Sequence, residues 1–378
     1  MKLMFSSRSK IVAVCLAAAV VLGGCGGGAT TTEGGGAIEE SALAEAKDRV
    51  EEGMKSPDQF PLTVPLVEKP KAGQTLGFIY RPGPAGELFL ENFKEAAELL
   101  GLKVRAFSTG KTADEFESAF SSADASDLAG VWVAGQDPKT WPKYATKWSN
   151  EGLPVANHGN DWPSEGKKFN WVPSNESGMY TILSDWVIAD ANGKKPGVLF
   201  VTLPFLPAYD RAADEQIKRV KELCDDCKAE RLDVALTEMG SSAVPSRVSG
   251  YLLKNPDTKY VVFDAGDTAT GVVAALRSSG IKGVKIAVAG GSEAQQSDLA
   301  KGDISAILAF DLGAGSWVAT DWFARVLTGQ DPSVNYEFRM PRRLLTADNV
   351  SEIDVSVPYQ VFDDEPERWS KFWGLDNR

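Results

Sequence analysis

His158 is the only histidine among 378 residues, so any imidazole acid–base or metal chemistry in this chain falls to that side chain. It sits in Asn157-His158-Gly159-Asn160-Asp161-Trp162, a run dense in hydrogen-bonding groups beside an aromatic ring. One imidazole cannot build a multi-histidine metal site, but with Asp161 or Asp137 it could form an acid–base pair. The four cysteines are Cys15, Cys25, Cys224 and Cys227. Cys224 and Cys227 have the spacing of a redox pair or half a zinc site, and no second cysteine pair or histidine cluster completes the zinc site. In an oxidising compartment such a pair reads as a small structural disulfide at a helix end. Gly290-Gly291 suggests a dinucleotide loop, but no Gly-x-Gly-x-x-Gly run follows. Neither a phosphate-binding Gly-x-x-x-x-Gly-Lys-Ser/Thr run nor a Gly-x-Ser-x-Gly elbow occurs. Asp225/Asp226 and Asp363/Asp364 read as solvated charges at helix ends or loops. The chemistry-bearing residues thus point to binding rather than catalysis, with no metal or organic cofactor implied.

The elements that must position these groups alternate between strand and helix. Short apolar runs at 76–80, 102–107, 130–134 and 154–157 read as strands, with helices at 87–100, 113–122 and 140–151. Phe89, Phe93, Ala96, Ala97 and Leu100 share one helical face, and Gly101 marks its end. A second series follows: helix 178–191, strand 197–202, helix 210–223, strand 231–235, helix 243–254, strand 259–264, helix 268–279 and strand 284–289. Two such trains predict an α/β protein with two doubly wound parallel-sheet lobes. Ligands of such sheets bind beyond the carboxyl ends of the strands. That rule selects Arg81 in a Pro/Gly loop, Gln136 and Asp137, His158, Asn160 and Trp162 on one lobe. On the other it selects Phe205, Tyr209 and Arg211, then Gly266 and Asp267, then Gly290.

The amino terminus bounds the compartment. Lys2, Arg8 and Lys10 precede an apolar stretch over 11–22 that is shorter than a bilayer span. It closes on Leu22-Gly23-Gly24-Cys25, which resembles a bacterial lipobox and implies that Cys25 becomes the lipidated first residue outside the membrane. Residues 26–36 form a Gly/Thr-rich tether. Residues 37–54 form a charged helix with Leu43, Ala46 and Val50 on one stripe. Pro57, Pro61, Pro65 and Pro70 then impose an extended connector. Removing residues 1–24 takes the formal charge from −12 to −15, which repels phosphate backbones and disfavours nucleic acid.

In order and spacing, these segments resemble the periplasmic binding proteins of the ribose-binding type, which serve ABC sugar importers. The resemblance covers about 74–357 and rests on LGFIY, EGLPVANHGND, VPSNESGMYTILSDWV, YVVFDAGDTATGVVAALRSSGI and VKIAVAGGSEAQQSDLAKG. It implies a signal at 1–24, a lipidated tether with helix and linker at 25–73, a first lobe at 74–174 plus 313–344, and a second at 175–311 plus 345–378. Three hinge crossovers are implied near 174–176, 310–312 and 344–346, with 314–327 returning to the first lobe and 355–373 finishing on the second. Carried over residue by residue, the sugar-stacking aromatic pair falls on Leu88 and Phe89. The family's Asp-Arg pair falls on Gly159 and Asn160, and its crossover serine on Ser174. Its pocket arginine falls on Tyr209 with Arg211 nearby, its asparagine on Gly266, its later aspartate on Gly290, and its last polar position on Asp311. Loss of charged groups, with Phe89, Trp162, Phe205, Tyr209 and Phe310 close by, implies a ligand less polar than ribose. The function implied is reversible capture of a sugar, polyol or less polar solute by a lipid-anchored monomer that docks on an ABC permease. Two other readings stay open: a sensor of the same fold signalling to a membrane receptor, and an exported α/β enzyme using His158.

Overall fold

The computed structural model describes residues 37–158, 170–171 and 177–375. Two sheets organise them. In the first, the order is β2 (Lys103–Ser108), β1 (Thr75–Tyr80), β3 (Gly130–Ala134), β4 (Val155–His158) and β5 (Asn170–Trp171), all paired in parallel. In the second it is β11 (Arg342–Thr346), β10 (Ala306–Phe310), β9 (Lys285–Gly290), β8 (Thr258–Phe263), β6 (Gly197–Thr202) and β7 (Lys228–Asp233). Only the β10–β11 pair in this sheet is antiparallel. Inner strands such as β3, β6 and β10 are buried at every position, as a strand covered by helices on both faces must be. The outer strands β2 and β7 carry Lys103, Arg105, Lys228, Glu230 and Arg231, and such charges guard a sheet edge. That explains one shift: β7 begins at Lys228, three residues before the apolar reading, because an edge strand needs little apolar pattern.

The helices are α1 (Glu40–Gly53), α2 (Pro84–Leu99), α3 (Ala113–Asp124), α4 (Pro142–Glu151), α5 (Thr181–Ala191) and α6 (Pro207–Leu223). They continue as α7 (Ala243–Lys254), α8 (Val272–Ser278), α9 (Glu293–Ala300), α10 (Leu312–Thr328), α11 (Ser333–Tyr336) and α12 (Glu365–Phe372). Several start with proline at the first turn, where the missing N–H costs nothing. The helix expected over 268–279 is a 3₁₀ turn, Gly266–Ala269, followed by α8, because Gly271 takes a φ of 78° between them. A disulfide joins Cys224, the residue closing α6, to Cys227. Among the described residues, no helix is long and apolar enough to cross a membrane.

Helix α10 leaves the second sheet and packs along α2 of the first lobe. Its sequence is apolar nearly all round, and Trp317, Trp322 and Phe323 are fully buried. The buried Asp321 on it accepts from Arg325 Nε (2.6 Å), Asn335 Nδ2 (2.9 Å) and Trp373 Nε1 (2.9 Å). A carboxylate so fully paired is tolerated in a core. Of the segment 355–373, expected on the second lobe, the first part does lie there, with the Tyr359 N–H donating to the Gly291 carbonyl at 2.8 Å and Gln296 Nε2 to the Val357 carbonyl at 2.7 Å. Helix α12, by contrast, lies against the first-lobe helices α2 and α10. Trp369 stacks on Trp317 at 6.0 Å and Trp373 lies 5.8 Å from it.

Residues 37–73 are folded onto the body. Arg49 of α1 pairs with Asp185 of α5 at 2.9 Å, and Arg219 of α6 joins Asp185 (2.8 Å) to Glu45 (2.6 Å). Burial pushes the Asp185 carboxyl up to about 6 even though Arg49 and Arg219 pull it the other way. Beyond α1 the Met54 carbonyl accepts from Arg343 Nε (2.7 Å) and Asn349 Nδ2 (3.3 Å). The Phe60 ring then packs on Trp369 (4.8 Å) and Phe372 (4.9 Å), and the Val64 carbonyl accepts from Arg325. The N-terminal segment therefore runs from second-lobe helices to first-lobe helices.

Candidate functional site

In the first sheet the order reverses between β1 and β3; in the second it reverses between β6 and β8. Carboxyl ends of strands at such reversals open a crevice. The four loops there carry Arg81, Gln136, Phe205 and Asp267. Three of these residues meet. The Arg81 guanidinium donates to Gln136 Oε1 at 3.4 Å and lies 5.5 Å from the Phe205 ring centroid. Burial lowers the pKa of Arg81, and a desolvated guanidinium gains more from an aromatic face. Gln136 is held in turn, since its carbonyl accepts from Asn157 Nδ2 (3.1 Å) and Trp141 Nε1 (3.3 Å).

The second-lobe wall is aromatic and acidic. Tyr180 packs edge-on to Tyr209 at 6.0 Å and against Phe310 at 5.6 Å. Burial drives Tyr180 well above its ordinary range and Tyr209 up to about 12. Behind them Asp264, at the end of β8, accepts from Gln216 Nε2 at 2.5 Å. Its carboxyl is pushed up to about 7 by burial, against the hydrogen bond from Gln216. Asp267 is half-buried, its carboxylate makes no hydrogen bond or ion pair with a described residue, and it is raised by desolvation alone. Arg211 lies on α6 with Nε and Nη2 enclosed.

Gly266 and Gly290 leave a space that another residue fills. A Cβ built on Gly266 would come within 2.2 Å of Gln295 Nε2, and one on Gly290 within 2.2 Å of Gln295 Oε1. Gln295 Oε1 also accepts from the backbone N–H of Gly291 (2.7 Å) and Ser292 (3.2 Å), which fixes the carboxamide at the start of α9. The Ser292-x-x-Gln295 spacing of this capping box was legible in the sequence.

Other expected site residues have surroundings of their own. Phe89 is 6% exposed and packs edge-on to Trp132 at 5.6 Å, so α2 turns it into the core while Leu88 stays half-buried. Asp137 accepts from the Lys139 N–H at 2.9 Å and caps its own turn. Asp311 is 1% exposed, with Oδ1 accepting from Ala314 N–H (3.0 Å) and Oδ2 from Val361 N–H (2.8 Å). It caps α10 and pins the C-terminal segment. The His158 backbone ends β4 opposite Ala134. Asn160, Trp162, Ser174 and Cys25 lie outside the described residues. Two cavities, one of ≈ 420 Å³ beside α3 and one of ≈ 890 Å³ under the 55–61 connector, touch none of Arg81, Phe205 or Asp267. Tyr180, Thr202, Gln216, Asp264 and Gln295 were not among the residues expected at the site; Asp264 at a strand end and the Gln295 capping box were the available signals.

A family model described as periplasmic binding protein domain matches residues 85–331. The chain belongs to that family. It is a solute-binding protein rather than an enzyme. Solved structures share its fold. An ABC sugar transporter subunit from Rhodobacter sphaeroides is 19% identical, with 74% of this chain and 99% of that one covered at a TM-score of 0.62. A 5-methylthioribose transporter solute-binding protein from Thermotoga lettingae is 13% identical over 84% of this chain and 99% of that one, at 0.66. A periplasmic ribose ABC transporter protein from Conexibacter woesei is 16% identical over 75% and 95%, at 0.59. No curated protein compared with the chain matches it.

Proposed function

We propose that this periplasmic binding protein, anchored through lipid on Cys25, captures a sugar, a polyol or a related less polar solute between its lobes. Hinge closure then presents the loaded form to the permease of an ABC importer. The observation that carries this reading is the meeting of Arg81 from the first lobe with Phe205 from the second, at the carboxyl ends of both sheets. Groups from two lobes in contact across a crevice form a site that only closure completes. The aromatic wall of Tyr180, Tyr209 and Phe310 supports a solute with an apolar face. Asp267 disfavours an anion, since burying like charges together is costly. The solutes named for the structural relatives, 5-methylthioribose and ribose among them, set the first panel.

The test is native mass spectrometry of the soluble body, with Cys25 removed, followed by thermal unfolding with D-ribose, L-arabinose, D-galactose, myo-inositol, allitol and 5-methylthioribose. A retained neutral solute, or stabilisation by a panel member, supports the reading. An empty protein that no panel member stabilises refutes it.

A further inference from the structure

We propose that Gln295 is a solute-contacting, specificity-determining residue: its carboxamide Nε2 and the Asp267 carboxylate form one donor–acceptor couple on the second-lobe wall. This deepens the proposed function and rests on it. The carboxamide bridges the ends of β8 and β9, with Nε2 against Gly266 and Oε1 against Gly290. Its orientation is set by chemistry, because Oε1 accepts two backbone N–H groups at the start of α9. The amide nitrogen therefore faces the other way. It donates to no described residue, although the side chain is only 7% exposed. Nε2 is not among the fully enclosed polar atoms, so it keeps contact with solvent and can exchange a water for a solute oxygen.

The partner Nε2 lacks is an oxygen acceptor, and the adjoining Asp267 lacks a donor. The Tyr209 hydroxyl feels the Asp267 charge. A neutral solute with two adjacent hydroxyls satisfies both groups at once, one oxygen accepting from Nε2 and the neighbouring O–H donating to Asp267. Two glycines are required for this arrangement, because any side chain at 266 or 290 collides with the carboxamide. One glutamine from the helix thus supplies the polar contact at positions 266 and 290, which have no side chains of their own. The solute class is a polyol or sugar with a vicinal diol at this end and a less polar remainder toward the Phe205 side.

The test uses the soluble body with Cys25 removed and the D-ribose, myo-inositol and 5-methylthioribose probes, read by calorimetric titration and by unfolding without solute. Gln295→Glu keeps an oxygen for the Gly291 and Ser292 N–H groups but replaces the donor with an acceptor. The expected result is a lower unfolding midpoint without solute, because the new carboxylate lies near Asp267, and in the folded variant an affinity for the bound probe lower by about 10-fold or more. Gly266→Asn alone is expected to displace the Gln295 carboxamide, whose Nε2 it approaches to 2.2 Å, and to lower probe affinity. Combined with Gln295→Ala, which empties that space, it should fold and reorder affinities among the three probes. Unchanged affinity and ranking in either folded variant, while the parent binds, overturns the role of Gln295 and leaves the proposed function standing. A parent that binds none of the probes and carries no solute overturns both.

Discussion

Asp264 should make the stability of this protein fall as pH rises, and Asp264→Asn should remove that dependence. Burial moves its carboxyl from 3.8 to about 7, with Gln216 Nε2 already donating to one oxygen at 2.5 Å. The folded pKa lies above the unfolded one. Between the two values the folded chain holds a proton that the unfolded chain has lost, so stability declines with rising pH. The contribution is whole below the unfolded pKa and is gone once pH passes the folded value. From pH 5 to pH 8 the folded carboxyl crosses about two pH units before it ionises, which at ~1.4 kcal/mol per unit is about 3 kcal/mol. Asparagine mimics the protonated acid: its oxygen accepts from Gln216 and it has no charge to bury. Urea unfolding of parent and Asp264→Asn at pH 5, 6, 7 and 8 isolates this one group from other titrations. The stability gap between them should shift in favour of the variant by about 3 kcal/mol over that span, most of it below pH 7. Parallel pH profiles would refute the reasoning and mean that the native carboxylate is ionised and compensated throughout.

Asp311→Ala removes the oxygens that accept from Ala314 and Val361; we expect a loss of about 2 kcal/mol in urea unfolding, and an unchanged value contradicts the capping role. Asp185→Ala strands Arg219 and Arg49 beside an emptied buried site; the expected cost is about 3 kcal/mol, with faster amide hydrogen exchange across α1 than in the parent. An Arg81→Met and Phe205→Ala double-mutant cycle should return a coupling of about 1 kcal/mol from the cross-lobe contact, measured in unfolding without solute. A coupling near zero would mean the lobes do not meet there in solution.

The inner strands were legible because their signal is local. Residues 130–134 and 197–202 are apolar at each position that matters, and burial on both faces demands that pattern. The strand-end loops that carry Arg81, Gln136, Phe205 and Asp267 follow from element order alone. Edge strand β7 was misjudged at its start because an edge exposes half its residues and tolerates charge.

Function of individual side chains was less legible, for a different reason. Phe89 sits where the family's stacking aromatic falls, yet its place on α2 turns it onto Trp132. Asp311, expected at the site, also accepts from the Val361 N–H fifty residues later, a contact no local pattern announces. The sequence by itself determined the α/β architecture and the loops that border the cleft, because hydrophobic periodicity and turn residues act between near neighbours. Only the tertiary structure decided that α12 packs on the first lobe, that Phe60 meets Trp369, and that Gln295 fills the space left by Gly266 and Gly290. Those contacts join residues far apart in the chain, and their energies depend on shape and burial that no local pattern encodes.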